Sequence, residues 1–237
     1  MVEALCEIFF IGSRWDTTIP GIFYSEVQSE FPIKTELEQL GLEVQLAEKQ
    51  VGTRMVHGDP RVRFSRRDGS RMVQLGRDLL VVNQLHPYPR YDDWRPAVID
   101  MQAKYRKLVM PLAIQRLGVR YINRVTVPDQ TVQMEHYFNL YPQVPQELGA
   151  AHGDFLMRLQ IPPRHAEHQL VATFATAPSS PEEGLGYLLD LYDIAPMDER
   201  YSFDELEHRM DEAHANIELA FESSITDALR ELFVEIK

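Results

Sequence analysis

Short runs in which apolar and polar residues alternate, punctuated by glycine and proline, fill most of the chain. Glu3 to Ile11 is apolar and rich in aromatic and β-branched side chains, which predicts a strand closed by Gly12 and Ser13. Pro20 is placed to open a helix. Ile22, Phe23, Val27 and Phe31 follow at helical spacing until Pro32 stops it. Leu42, Val44 and Leu46 alternate with Glu43, Gln45 and Ala47, predicting one half-buried strand over 42–51. Arg61 to Ser65 and Arg71 to Leu75, joined by Arg67-Asp68-Gly69, predict a hairpin, and Leu79 to Leu85 a further strand. After Pro87 and Pro89, Asp92 or Asp93 can cap a helix from Trp94 to about Met110, with Val98, Met101, Tyr105, Leu108 and Val109 on one side.

The pattern then resumes in similar order. Val119 to Val127 alternates, a short helix fits near Val132 to Leu140, and strands are predicted over Phe155 to Ile161, Gln169 to Ala175 and Gly186 to Ile194. The final segment, Phe203 to about Val234, carries the strongest helical signal. Phe203, Leu206, Met210, Ala213, Ile217, Phe221, Ile225, Ala228 and Leu232 recur every three or four residues. The expected class is α+β, with antiparallel sheets gripping helices in a strand-helix-strands-helix unit that reads as pseudo-duplicated over 1–116 and 117–237. No Gly-, Ser- or Pro-rich linker divides the halves, so one compact domain over 1–237 is expected. A straight helix of about 30 residues would be ~45 Å long, comparable to the diameter of a globule of this chain length. It would then either bend at Ser223-Ser224 or overhang onto a second copy. The expectation is a homodimer.

Composition changes the picture chiefly through charge. The 237 residues carry a net charge of −12, and residues 182–237, with 16 Asp and Glu against four Lys and Arg, account for all of it. Residues 54–77 hold seven arginines against Asp59 and Asp68. The hairpin residues Arg61, Arg63, Arg66, Arg67 and Arg71 are therefore candidates for partner binding, although a solvated face or pairing with the acidic end serves them equally. An acidic chain repels phosphate over most of its surface, so no tight duplex DNA binding is expected. A single cysteine, Cys6, rules out an intrachain disulfide or a cysteine zinc site. It reads as an inert core thiol. The opening Met1 to Glu7 has acids where a signal peptide has a basic region, and no run approaches the length of a membrane helix. A cytoplasmic location without membrane contact is expected.

The leading site candidate is the strand around Gly118 to Arg124. Alternation puts Arg120, Ile122 and Arg124 on one face and Tyr121 and Asn123 on the other. Two arginines two positions apart can bind a carboxylate or phosphate, or can serve acidic neighbours across the sheet. Tyr121 and Asn123 offer donors and acceptors to the opposite side. His165 and His168, with Glu167 between them, are expected as exposed loop residues and not a metal set. His208 and Glu212, and Asp211 and His214, can touch along the last helix. His214 flanks the apolar stripe and joins the partner-binding candidates. Phosphate-loop, dinucleotide and nucleophile-elbow motifs are absent, so no catalytic residue, metal or cofactor is assigned.

Several blocks, in order along nearly the whole chain, carry a resemblance. They are Val2 to Ile8; Gln74-Leu75 to Asp78, Val81-Val82-Asn83, Leu85 to Tyr88 and Trp94; Arg116 to Arg124; and His214, Phe221-Glu222, Ile225-Thr226 and Phe233. The chain resembles a family of bacterial proteins known as sporadically distributed and uncharacterised. That resemblance implies a single unit and a bacterial origin, and brings no activity with it. The resulting expectation is a non-enzymatic binding protein for a protein partner or a small anionic ligand. The alternatives are an enzyme or sensor with a small-molecule pocket between sheet and last helix, and nucleic-acid binding through the arginine hairpin. An apolar pocket of several hundred cubic ångströms would favour the second of the three readings.

Overall fold

A computed structural model describes residues 1–37, 40–47, 50–57, 60–128, 133–148, 153–162, 168–179, 184–196 and 203–233. The strands are β1 (Glu3–Ile11), β2 (Ile33–Leu37), β3 (Leu40–Ala47), β4 (Gln50–His57), β5 (Arg61–Ser65), β6 (Arg71–Gly76), β7 (Leu79–Leu85), β8 (Ala113–Val127), β9 (Leu156–Ile161), β10 (Gln169–Ala177) and β11 (Leu185–Pro196). The helices are α1 (Ile19–Val27), α2 (Tyr91–Val109), α3 (Met134–Tyr137), α4 (Leu206–Ser224) and α5 (Asp227–Arg230). Nine strands form one antiparallel sheet in the order β2-β5-β6-β7-β1-β8-β11-β10-β9, so the fold is α+β. The meander β5-β6-β7 returns to pair with β1, and β9-β10-β11 returns to pair with β8. The two opening strands pair with each other at the centre.

Helices cover one face of this sheet. Ala4, Cys6, Ile8 and Phe10 of β1, Leu80 and Val82 of β7, and Leu117, Val119, Tyr121, Val125 and Val127 of β8 all point there. They meet Phe23 of α1, Trp94, Val98 and Tyr105 of α2, and Leu206, Met210, Ala213 and Ile217 of α4. Burial beside Glu7 pushes the Cys6 thiol far above its usual range, as an inert core thiol requires. Leu5, Leu79 and Val81 form a small second cluster on the opposite face. β8 starts six residues before the predicted Val119. Its parity flips at Gln115, because Phe9 pairs with Arg116 while Phe10 pairs with Ile114, leaving one extra residue. Ile114 and Leu117 therefore both face the core. This bulge hides the strand's first turn from an alternation count.

Three other sequence expectations change. The single strand over 42–51 is instead the pair β3 and β4, which form their own two-stranded ladder. Neither Asp92 nor Asp93 caps α2. The cap position is Arg90, and both aspartates lie in the first turn, where the helix dipole favours them. The C-terminal helix is not continuous to Val234. α4 stops at Ser224, whose hydroxyl donates to the Ala220 carbonyl at 2.7 Å. Ile225 is extended and bridges Phe138. Asn139 Nδ2 donates to the Ile225 carbonyl at 2.8 Å, and Thr226 caps the short α5. The bend falls where two adjacent serines were expected to allow one. At 19 residues α4 spans about 28 Å, and Leu206, Met210, Ala213 and Ile217 are buried on the chain's own sheet. The overhang on which the expectation of a dimer rested does not form. Among the described residues no helix is long and apolar enough to cross a membrane.

The register of β11 on β8 begins at Leu185 opposite Val127, directly after Gly184, whose φ is +91°. A Cβ there would run into the Val127 carbonyl oxygen. Gly184→Ala should therefore lower stability by more than the ~1–2 kcal/mol that a left-handed residue with a Cβ costs on its own. Gly153→Ala, where a Cβ meets nothing within 4 Å, should not. Denaturant midpoints of the two variants check this.

Candidate functional site

β8 sorts its polar residues between two faces, as alternation requires. On the face away from the helices, Arg120 grips the buried Asp190 of β11 through Nε at 2.8 Å and Nη2 at 2.6 Å. Tyr192 donates to Glu7 at 2.8 Å and lies across Gly118. Arg116 stacks on Phe9, its guanidinium carbon 3.9 Å from the ring centre. Arg124 donates to the Pro178 carbonyl at 2.8 Å. Arg120 and Arg124 thus share a face, yet their guanidinium groups engage separate partners.

Of the hairpin arginines, Arg66 pairs with Glu30, which Arg71 Nη1 also approaches at 3.8 Å, and the buried Arg71 donates to Gln84 at 2.7 Å. Arg61 and Arg63 are half-buried and Arg67 is exposed. Burial lowers the Arg61 pKa against the pull of Glu7. The structure does not gather these five side chains into one site.

On the helix face, Tyr121 and Asn123 open into a cleft of about 750 Å³ between β8, α4 and the segment leading into α2. That segment supplies Tyr88, Pro89, Arg90, Tyr91 and Asp92. α4 supplies His214, Ile217, Glu218, Phe221 and Glu222, one turn apart along a single face. The Tyr91 ring stacks on the His214 imidazole, with centroids 3.7 Å apart and planes 9° from parallel. Tyr88 and Trp94 pack edgewise or tilted against Tyr121 at 6.0 and 6.3 Å. Tyr91 is anchored from behind, because its hydroxyl donates to Asp211 at 2.7 Å. Arg95 bonds the same carboxylate at 2.7 and 3.1 Å and also reaches Glu207.

The electrostatics fix the protonation of this cluster. Burial pushes the Tyr121 hydroxyl far above its usual range, so it stays protonated. It lies 2.7 Å from His214 Nδ1. Glu218 Oε1, 3.2 Å from Nε2, can only accept, which favours the tautomer with its proton on Nε2 and Tyr121 donating to Nδ1. Burial lowers the His214 pKa, outweighing the pull of Glu218, Asp211 and Asp92, so the ring is neutral at pH 7. Burial also pushes the Tyr88 hydroxyl up to about 12. It makes no well-formed hydrogen bond within the described residues. The result is a Tyr121–His214–Glu218 chain along one wall, aromatic faces around it and carboxylates at the rim. His214 therefore belongs to the cleft, and its partners are Tyr121 and Glu218 rather than Asp211. The sequence pattern does not single out Tyr88, Tyr91 or Glu218. The local signal for the two tyrosines is the run Pro87-Tyr88-Pro89-Arg90-Tyr91, and Glu218 has none.

A second polar cluster lies where β10 and β11 meet α4. His168 is buried, not an exposed loop residue; His165 and Glu167 lie outside the described residues. His168 Nδ1 bonds Asp193 Oδ1 at 2.6 Å, and Asn216 donates to the other Asp193 oxygen at 3.0 Å. Glu212 stands 3.4 Å from His168 Nε2, held by Arg209 at 3.1 Å and touched by His208 at 3.5 Å. Among the described residues no group of three His, Cys, Asp or Glu side chains is placed to hold a metal ion. Compared with models of known families and with curated proteins, the chain matches none.

Burial opposes the charge on His168, but the hydrogen bond and attraction of Asp193, reinforced by Glu212, raise its pKa overall. A raised folded pKa stabilises fully below the unfolded value of about 6.5, and the stabilisation is lost as pH climbs through the folded value. His168→Ala should cost about 3 kcal/mol near pH 6, the lower end for breaking a buried pair, since Asn216 still serves Asp193. The cost should shrink towards pH 9. Chemical denaturation of both proteins across that range checks it.

Proposed function

We propose that the protein binds a small molecule in the cleft between the sheet and α4, as a sensor or an enzyme. One observation carries the reading. A cavity of about 750 Å³, within the range of small-molecule sites, is lined by three tyrosines, a neutral half-buried histidine and an asparagine that converge from three separate chain segments. A few convergent polar groups in an aromatic pocket is the usual anatomy of such sites. The reading departs from the expected anionic ligand, because Arg120 and Arg124 lie on the other face and are engaged. The sheet order also supports a duplicated unit over 1–116 and 117–237, in which the cleft lies on the seam, where the helix after the first unit meets β8 and α4 of the second.

The catalytic form of the reading draws on the Tyr121–His214–Glu218 chain, which connects a hydroxyl to a rim carboxylate through an imidazole that can take one proton and release another. The binding form needs only the cavity. Native mass spectrometry of the purified protein, alongside a thermal-shift screen of metabolite-sized compounds, should reveal a bound or stabilising small molecule. That effect should vanish in Glu218→Trp, which adds bulk at the mouth from a side chain 64% exposed. A screen in which every hit stabilises Glu218→Trp equally would overturn the reading.

A further inference from the structure

Resting on that cleft reading, we propose that the ligand is a small organic cation, a protonated amine or quaternary ammonium, with its charge over tyrosine faces and beside Glu218. The argument begins with the charges. Asp92, Glu218 and Glu222 line the cleft with Arg90, the neutral His214 and the Met1 α-amino group, whose pKa burial lowers. Glu222 is matched by Arg230 at 2.6 Å, so it contributes little field. Among the described residues Glu218 has only the His214 imidazole as an ion-pair neighbour, and Asp92, in the first turn of α2, has no ion-pair partner. Behind the aromatic wall, Asp211 and Glu207 share the single Arg95. Around Glu218 and around Arg95 a carboxylate is therefore left in excess.

The walls fit the same chemistry. Tyr88, Tyr91 and Tyr121 line one cavity, and the negative faces of aromatic rings attract a cation that has shed part of its water. Glu218, on the open side of the cavity, pulls in the same direction. An anion would find Arg90 and the Met1 amine against Asp92, Glu218 and Glu222. A purely apolar guest would draw nothing from Glu218. His214 cannot itself supply the missing cation at neutral pH, because burial keeps it uncharged. A metal ion is a poorer fit, since no group of three His, Cys, Asp or Glu side chains among the described residues is placed to hold one.

The protein carries its own reporter. Trp94 is fully buried and packs 6.3 to 6.5 Å from Tyr88, Tyr91 and Tyr121, so its fluorescence reads the cluster once Trp15→Phe removes the second tryptophan. The probes are benzyltrimethylammonium, phenylacetate and benzyl alcohol, similar in their ring and different in charge. Benzyltrimethylammonium should bind at least about tenfold tighter than either comparator at low salt, and less tightly as salt screens the rim. Glu218→Gln, at an exposed position, should weaken the cation about five- to tenfold and leave benzyl alcohol unchanged. Tyr88→Leu should reduce the cation's advantage, and Tyr88→Phe, which keeps a ring face, should retain most of it. Phenylacetate or benzyl alcohol binding as tightly as the cation would overturn the cationic assignment and leave the cleft reading standing. Failure of all three to bind at millimolar concentration, in the parent and in Glu218→Trp alike, would count against both.

Discussion

The antiparallel pairing of β1 with β8 is the constraint on which the molecule depends. Each of these strands opens one half of the chain, and each is the strand to which its own meander returns. Pairing them turns two separate four-strand arrangements into one sheet, with β2 added at an edge. Ala4, Cys6, Ile8 and Phe10 then lie beside Leu117, Val119, Tyr121 and Ile114 under a common layer of helices. Because both faces of a central strand are filled by its neighbours, its register is strongly specified: a slip by one residue would exchange every side chain between faces. The bulge at Gln115 is what lets β8 keep Ile114 on the core side while running on past the end of its alternating stretch.

From that register follows the division of chemistry along β8. The same few residues supply a closed ion pair on one face, where Arg120 meets Asp190, and the floor of a cavity on the other, where Tyr121 and Asn123 emerge. α4 carries Phe221 and Glu222 along the cleft wall and ends at Ser224, where the chain turns back onto Phe138 and Asn139. Tyr91 completes the site from a third direction. It opens α2 and is held by Asp211 of α4, so the contact that docks the two helices also orients the ring that stacks on His214.

How far the sequence reveals this depends on whether each feature is local. β1, β7, β10 and β11 are legible because a half-buried or fully buried strand writes its period into adjacent residues, and the hairpin at Asp68-Gly69 because its turn needs those residues. The break after Ser224 is not legible from periodicity. Ile225 and Leu229 are buried as a continuous stripe would have them, yet one is extended and the other belongs to a separate short helix. His168 looked like a loop residue beside two prolines because its partners, Asp193 and Asn216, lie 25 and 48 positions away and only the fold brings them near. The cleft is the extreme case. Residues 88–92, 121–123 and 214–222 meet through the β1–β8 pairing and the α2–α4 contact, and neither is written in a local pattern. Arg120 shows the converse, since its face was legible and its partner was not.

The acidic last quarter of the chain takes on a physical role in this light. Asp190 receives Arg120, Asp193 receives His168, Glu207 and Asp211 receive Arg95, Glu212 receives Arg209 and His168, and Glu222 and Asp227 receive Arg230. Much of the charge that reads from the sequence as one long acidic surface is therefore matched inside the molecule, often by bases from the first three quarters. Exposed pairs of this kind add little stability individually, but they decide where the unmatched field remains. Glu218 is left with a neutral imidazole for company, at the mouth of the cavity. It stays that way because Tyr121 holds Nδ1 as an acceptor and burial disfavours a second ring proton. The Tyr121 hydrogen bond that orients the histidine is thus also what helps keep the carboxylate beside it uncompensated, so positioning and electrostatic character in the cleft share a cause.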